Sequence, residues 1–178
     1  MDIRHIDDVL PLIEGRKEFV VKRDPNYIAI DYAIQFFDTF DDPRRIELRG
    51  IKFHPGGAIM ARPLHKFFNV GEREDTRPEA LNFDDDHDIM DKLDGSMIHP
   101  AILADGSVRF MTRMGVTQVA EKAERHMTDD LRGVIFGLLS EGLTPIFEFT
   151  APDNRIVVKY PASALTLLAI RDMVTGDY

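Results

Sequence analysis

Lys92-Leu93-Asp94-Gly95-Ser96 places an amine, a carboxylate and a glycine within four consecutive positions. This K-x-D-G-S spacing suits a lysine that attacks the phosphorus of a nucleotide and holds it as a phosphoramidate. An amine attacks only when unprotonated. Free lysine titrates near ~10.4, so such a lysine must be partly desolvated or set beside other cations. Ile89 and Met90 lead into Lys92 and predict an apolar strand end that seats its stem. Gly95 lets a ligand approach the backbone closely, and Asp94 is placed to orient the amine. Four fixed letters are a weak signal by themselves, so the weight falls on the segments around them.

Three such segments accompany the lysine. Arg49-Gly50 ends a strand before the other two. Ala61-Arg62-Pro63-Leu64-His65-Lys66-Phe67-Phe68-Asn69-Val70-Gly71-Glu72 lies upstream of Lys92. Phe147-Glu148-Phe149-Thr150-Ala151-Pro152-Asp153-Asn154-Arg155-Ile156-Val157-Val158-Lys159-Tyr160-Pro161 lies downstream. In this order and spacing the set resembles the RNA ligases of the T-even bacteriophage type, the family that reseals broken tRNA. The resemblance runs from about Tyr27 to Tyr178. The K-F-F-N and F-E-F-x-A-P-x-N-R-I-V stretches carry more of it than the lysine motif does.

The resemblance implies a role for each matching residue. Lys92 matches the lysine that becomes adenylylated, and Gly95 the glycine beside it. Arg49 and Lys66 match basic residues that contact ATP, where positive charge offsets the charge of the leaving pyrophosphate. Tyr32 falls at a tyrosine of the nucleotide site. Phe68 supports the pocket from within K-F-F-N, and Asp94 supports the lysine. Glu148 matches the essential acid of F-E-F, a ribose or metal-side contact. Arg113 stands where the family tends to have lysine, which keeps the charge but changes the geometry.

The resemblance also implies a fold, a reaction and partners. The fold is α+β, the nucleotidyltransferase (adenylation) domain of a covalent ligase, with antiparallel sheets, flanking helices and ATP in a cleft. The reaction is ATP-dependent RNA end joining through lysyl-AMP. The partners are ATP, magnesium, and RNA with 5′-phosphate and 3′-hydroxyl ends. Two further family motifs are not found within residues 1–178: a glutamate-glycine pair that helps bind the metal and a lysine pair on the α-phosphate. Three expectations follow. The chain is an N-terminal part of a longer ligase, or it works with a second polypeptide carrying those motifs, or it is a non-catalytic ATP- or RNA-binding module. The first is favoured.

Several elements must position these residues. Ile6, Val9, Leu10 and Ile13 recur at helical spacing and predict a short helix ending at Gly15, limited to two turns by Pro11. Strands are predicted over Phe19 to Lys22, Tyr27 to Ile34 and Arg45 to Phe53, the last closed by a turn at His54-Pro55-Gly56-Gly57. Phe36-Phe37 reads as the core side of a strand. Glu72 to Asp88 is a surface loop. Met97 to Leu103 and Ser107 to Arg113 make a hairpin across Asp105-Gly106. Thr117 to His126 and Thr128 to Ser140 are helical, the second capped by Thr128, favoured by Asp129 and Asp130 in its first turn, and ended at Gly142. Its predicted apolar face is Leu131, Val134, Ile135, Leu138 and Leu139. Strands over Pro145 to Thr150, Arg155 to Tyr160 and Leu165 to Arg171 complete the pattern.

Composition bounds the alternatives. A chain of 178 residues with 44% hydrophobic residues can bury one domain's core. With no cysteine, disulfides and thiolate chemistry are excluded. No apolar run reaches the length of a membrane span, so no membrane association and a cytoplasmic location are expected, the host cytoplasm if the gene is a phage's. A formal charge of -9 opposes nucleic-acid binding by the whole surface. Two local groups could still serve it: Arg44, Arg45, Arg49 and Lys52, and Arg109, Arg113, Lys122 and Arg125. Asp84-Asp85-Asp86-His87-Asp88 lacks the spacing of a calcium loop and reads as solvated. His54, His65, His99 and His126 show no metal-ligand spacing; His65 adjoins Lys66 and could line the pocket, with packing the first expectation.

Overall fold

The computed structural model describes all of residues 1–178. Its frame is two four-stranded antiparallel sheets. The first runs in the order β1 (Phe19–Arg23), β2 (Ile28–Tyr32), β3 (Ile51–Phe53), β4 (Ile59–Ala61). The second runs β6 (Val108–Met111), β5 (Ser96–Ile102), β7 (Leu143–Thr150), β8 (Ala164–Asp172). Helices α1 (Gln118–Glu124) and α2 (Asp129–Ser140) cover one face of the second sheet. This is the expected α+β arrangement.

Strand alternation explains how the sheets are buried. Ile28 and Ile30 of β2 join Ile51 and Phe53 of β3 in a core beneath the N-terminal segment, with Ile3, Ile6, Val9 and Leu12. The opposite face of the first sheet packs on the second sheet. Ala29, Met60, Ala61, Ala101 and Met111 meet in a thin seam where the sheets pack on each other. A third core lies under the helices, where Ile98, Phe110, Phe147 and Phe149 meet Ala120, Ala123, Ile135 and Leu139. Thr117 and Thr128 cap the helices by accepting from the Ala120 and Leu131 amides. Gly142 follows α2 with φ +79°, as its predicted end. The hairpin across Asp105-Gly106 and the turn at His54 to Gly57 are both present.

Other expectations change. The N-terminal helix is two short 3-10 turns, Ile6–Asp8 and Leu10–Ile13, because Pro11 lacks the N–H that would continue one into the next. Arg45 to Phe53 is a strand only over its last three residues; Pro43–Glu47 is a 3-10 turn started by the Asp42 side chain. Ile89 to Lys92 is not a strand, and Ile89 and Met90 are exposed. Arg155 to Tyr160 is irregular because the Val157 and Val158 amides donate to the Asp94 carboxylate instead of to a neighbouring strand. Strand β2 stops at Tyr32, so Phe36 and Phe37 fall in a turn and face solvent. On α2, Ile135 and Leu139 are buried, but Val134 is exposed.

Neither basic group forms an open patch. Arg44 pairs with Asp42, Arg45 donates to the Leu12 carbonyl, and Lys52 is wholly buried. Arg109 pairs with Glu124, Arg113 with Asp31, and Lys122 with Asp153. With 31 acids against 22 lysines and arginines, acidic neighbours are rarely far. No helix is long and apolar enough to cross a membrane.

Candidate active site

The F-E-F segment lies in β7, and period-two alternation divides it. Phe147 and Phe149 turn to the helices, while Glu148 turns the other way, opposite Met97 of β5. A cavity of about 700 Å³ opens on that face. Arg49, Lys92, Gly95, Met97 and Glu148 all line it, with Tyr178 on its wall. Four of the predicted residues, from widely separated parts of the sequence, therefore meet around one space.

Hydrogen bonds fasten the lysine motif to F-E-F. The Gly95 amide donates to Glu148 Oε1 at 2.9 Å. Asn154 Nδ2 donates to Ser96 Oγ at 3.1 Å and to the Phe149 carbonyl at 3.0 Å. Asp94 Oδ2 accepts from the Val157 and Val158 amides, both at 2.6 Å, and the Asp94 amide donates to the Tyr160 hydroxyl at 3.0 Å. Asp94 thus fixes the backbone that follows F-E-F, rather than only addressing the amine. These backbone donors hold its carboxyl below the ordinary value. Lys92 itself is exposed at the cavity rim, and no strand seats its stem.

Charge in the cavity is arranged around Glu148. Burial raises its carboxyl pKa above the ordinary value, against the lowering effects of the Gly95 amide, Lys92 and Arg49. Arg49, in the bend just before β3, reaches across to the second sheet. Its Nη1 contacts the Leu64 carbonyl and Met97 Sδ, each at 3.4 Å, and its guanidinium lies 5.4 Å from the Phe67 ring centroid. Burial, and then the nearby Arg113, lower the pKa of Arg49.

Arg49 and Met97 also border a second depression of about 470 Å³, which Asp31, Tyr32 and Arg113 line. Arg113 donates to Asp31 Oδ1 at 2.8 Å and to the Tyr32 carbonyl at 3.2 Å, and lies 4.5 Å from the Tyr32 ring centroid. Tyr32, Arg49 and Arg113 therefore form one shelf beside the Lys92 cavity.

Lys66 and Phe68 stand apart from both spaces. The Lys66 ammonium pairs with Glu72 at 3.2 Å and lies 4.3 Å from the Phe68 ring centroid. Glu72 is close enough in sequence to capture this amine, which explains why it does not enter the cavity. Phe68 packs edge-on to Phe40 at 5.6 Å and anchors its segment to the first core. Phe67, its neighbour, lines the cavity instead.

Several contributors have no role in the sequence reading, or, like His65, a packing role ranked ahead of the pocket-lining one that the structure gives. His65 lines the cavity, and its Nδ1 lies 2.8 Å from the Tyr178 hydroxyl. Burial lowers the His65 pKa. Arg171, 4.8 Å from the Tyr178 ring centroid, and Arg62 share Glu47 in a buried ion network. Arg62, inside the quoted A-R-P-L stretch, was the available signal for that network. Asn154, in the segment downstream of Lys92, ties Ser96 to the Phe149 carbonyl, a long-range contact with no local signal. The acidic loop is exposed as expected, and no group of three His, Cys, Asp or Glu side chains is assembled for a metal.

Two antiparallel sheets border one cavity with a lysine at its rim and a carboxylate and an arginine on its wall, the arrangement expected of a nucleotidyltransferase fold. Residues 47–178 match the family model described as RNA ligase, of the T4 type, and the chain belongs to that family. A protein of Thermovibrio ammonificans named "Putative RNA ligase" is 38% identical over 97% of this chain and 46% of its own length. RNA ligase 1 of bacteriophage TS2126 is 29% identical, over 97% of this chain and 46% of its own. The chain thus spans about half the length of these relatives. A solved archaeal ATP-dependent RNA ligase shares the fold with a TM-score of 0.57 and 16% identity, over 95% of this chain and 43% of that one.

Proposed function

We propose that residues 1–178 form an adenylyltransferase domain that captures ATP and transfers its AMP to Lys92, the first step of RNA end joining. The observation that carries this reading is the meeting of Lys92, Gly95, Glu148 and Arg49 around one cavity. The Lys92 amine attacks the α-phosphorus of ATP. A nitrogen–phosphorus bond forms, the bond to the β-phosphate oxygen breaks, and pyrophosphate leaves. An RNA 5′-phosphate then takes the AMP and releases the lysine, and a 3′-hydroxyl displaces AMP to seal the strand.

Each neighbour has a part in this scheme. Arg49 and the Arg113 shelf receive the triphosphate and offset its charge. The aromatic wall of Phe67 and Tyr178, with Met97, receives the base. Glu148 turns its free oxygen toward the ribose or the metal side. Magnesium would arrive with the triphosphate. A cavity lined by two carboxylates, the half-buried Glu148 and the exposed Asp91, suits an ion held largely by phosphates and water rather than by a protein cage. The α-phosphate lysine pair implied by the family would come from polypeptide outside this stretch, in the same chain or a second one.

The test uses α-labelled ATP with magnesium. Label should remain on denatured protein and disappear in Lys92→Ala, which stays folded because the side chain is exposed. Bound ATP without covalent label, with or without the remaining half of a relative added, would favour a non-catalytic binding module.

A further inference from the structure

Lys52 is a buried amine that the adenylylation scheme does not use. Strand β3 alternates Ile51, Lys52, Phe53, and the two apolar residues take the core side. Lys52 is therefore turned into the seam between the sheets. Its cross-strand neighbours are Ala29 on β2 and Ala61 on β4, both small enough to leave room for a lysine stem. The residue is wholly buried. Its ammonium donates to the Gly50 carbonyl and, at 2.9 Å, to the Arg113 carbonyl.

Those two carbonyls belong to the residues that bring the shelf together. Gly50 follows Arg49 directly, and Arg113 is the shelf's other cation. Gly50 has φ +79°, and a Cβ there would lie 2.7 Å from Arg113 Cα. The backbones thus touch where the first sheet meets the turn after β6, and Lys52 bridges the contact from beneath. Arg113 in turn holds Asp31 and lies over Tyr32.

We propose that Lys52 is a positioning residue: by bridging the Gly50 and Arg113 carbonyls it sets the spacing of Arg49 and Arg113 across the sheet junction, and so their grip on the ATP triphosphate. The functional half of this inference rests on the adenylylation reading; the bridge itself does not. Burial depresses the Lys52 pKa to about 7, and Asp31 opposes that effect. A neutral amine still has two N–H groups, so the bridge persists on either side of that value.

Two measurements separate the bridge from the reading it serves. The first needs no ATP. Hydrogen exchange by mass spectrometry should show residues 49–53 and 111–116 exchanging faster in Lys52→Met, with β7 and β8 unchanged. Unchanged exchange in both segments would overturn the proposal. The second is ATP affinity at constant magnesium. Lys52→Met should bind ATP about tenfold more weakly, because the ligand must then order two cations that the bridge otherwise holds in place. Lys52→Arg, which restores charge and donors, should recover most of the affinity. Equal affinity in folded Lys52→Met and the unaltered chain would overturn the positioning role. If the unaltered chain binds no ATP, the adenylylation reading fails, and exchange alone decides the bridge. Should Lys52→Met fail to fold, Gly50→Ala perturbs the same contact from above. It should give the same paired acceleration of exchange, and the absence of that pattern would overturn the proposal.

Discussion

Gly95 lies against the carbonyl of Phe149 so closely that a Cβ at position 95 would collide with that oxygen. The need for glycine here thus comes from packing within the protein, in addition to any approach by a nucleotide. Gly95→Ala must separate the start of β5 from β7, where Ser96 is paired with Phe149. The expected cost is about 3 kcal/mol of folding stability, the upper part of the usual range for single substitutions. Urea unfolding checks it. An alanine variant of unchanged stability would show that the two strands part without cost.

Glu148 illustrates a cavity residue held against stability. Its carboxyl pKa is raised by burial. The folded state therefore binds the proton more readily than the unfolded chain. This contributes stability below the ordinary carboxylate value, which is lost as pH rises through the folded value. A glutamine at this position would keep an oxygen for the Gly95 amide and carry no charge. Glu148→Gln should accordingly raise the melting temperature at pH 7 while abolishing adenylylation. Melting curves at pH 4 and pH 7 test the first half, with the gain confined to the higher pH. A lower melting temperature at pH 7 would contradict the account.

Asp94 should control order in the segment after F-E-F. Its carboxylate holds the Val157 and Val158 amides, and those donors lower its pKa. The contribution is present above the ordinary aspartate value and fades as pH falls through the depressed folded one. Asp94→Ala should free residues 155–160 and make them the first site of limited proteolysis, at least about tenfold faster than in the unaltered chain. Such a factor follows from losing charge-assisted hydrogen bonds. Cleavage elsewhere first would count against it.

Much of this architecture is readable from side-chain order. The F-E-F alternation, the Asp105-Gly106 turn and the Thr128 cap are local signals, and local chemistry decides them. The convergence of Arg49, Lys92, Gly95 and Glu148 follows the family resemblance. Long-range capture is what sequence leaves hidden. Val157 and Val158 have strand-forming side chains, yet a carboxylate 63 and 64 positions away claims their amides. Ile89 and Met90 look core-bound but have no sheet edge to join. Lys52 reads as a surface cation beside Arg49, until alternation and two facing alanines place it inside.

The Glu47 network is the severest test of how the cavity wall is held. Glu47 accepts from Arg62 at 3.0 Å and from Arg171 at 2.8 Å, and these guanidiniums are 1% and 2% exposed. Burial alone would raise the Glu47 pKa, but the two guanidiniums, Arg171 first, bring it below the ordinary value. Arg171 also donates to the Pro63 carbonyl and lies over the Tyr178 ring, so the network joins the 61–72 segment to β8 and the aromatic wall. Glu47→Ala would leave two buried cations without their carboxylate. Breaking a buried pair from one side costs about 3–5 kcal/mol. Chemical unfolding at pH 7 should show a loss of that size. Below the folded Glu47 value the unaltered chain loses the same stabilisation, so the gap between the two proteins should close as the carboxyl protonates. A gap that stayed constant down to the pH at which the unaltered chain itself unfolds in acid would mean that Glu47 acts through its shape, with its charge contributing nothing to the wall.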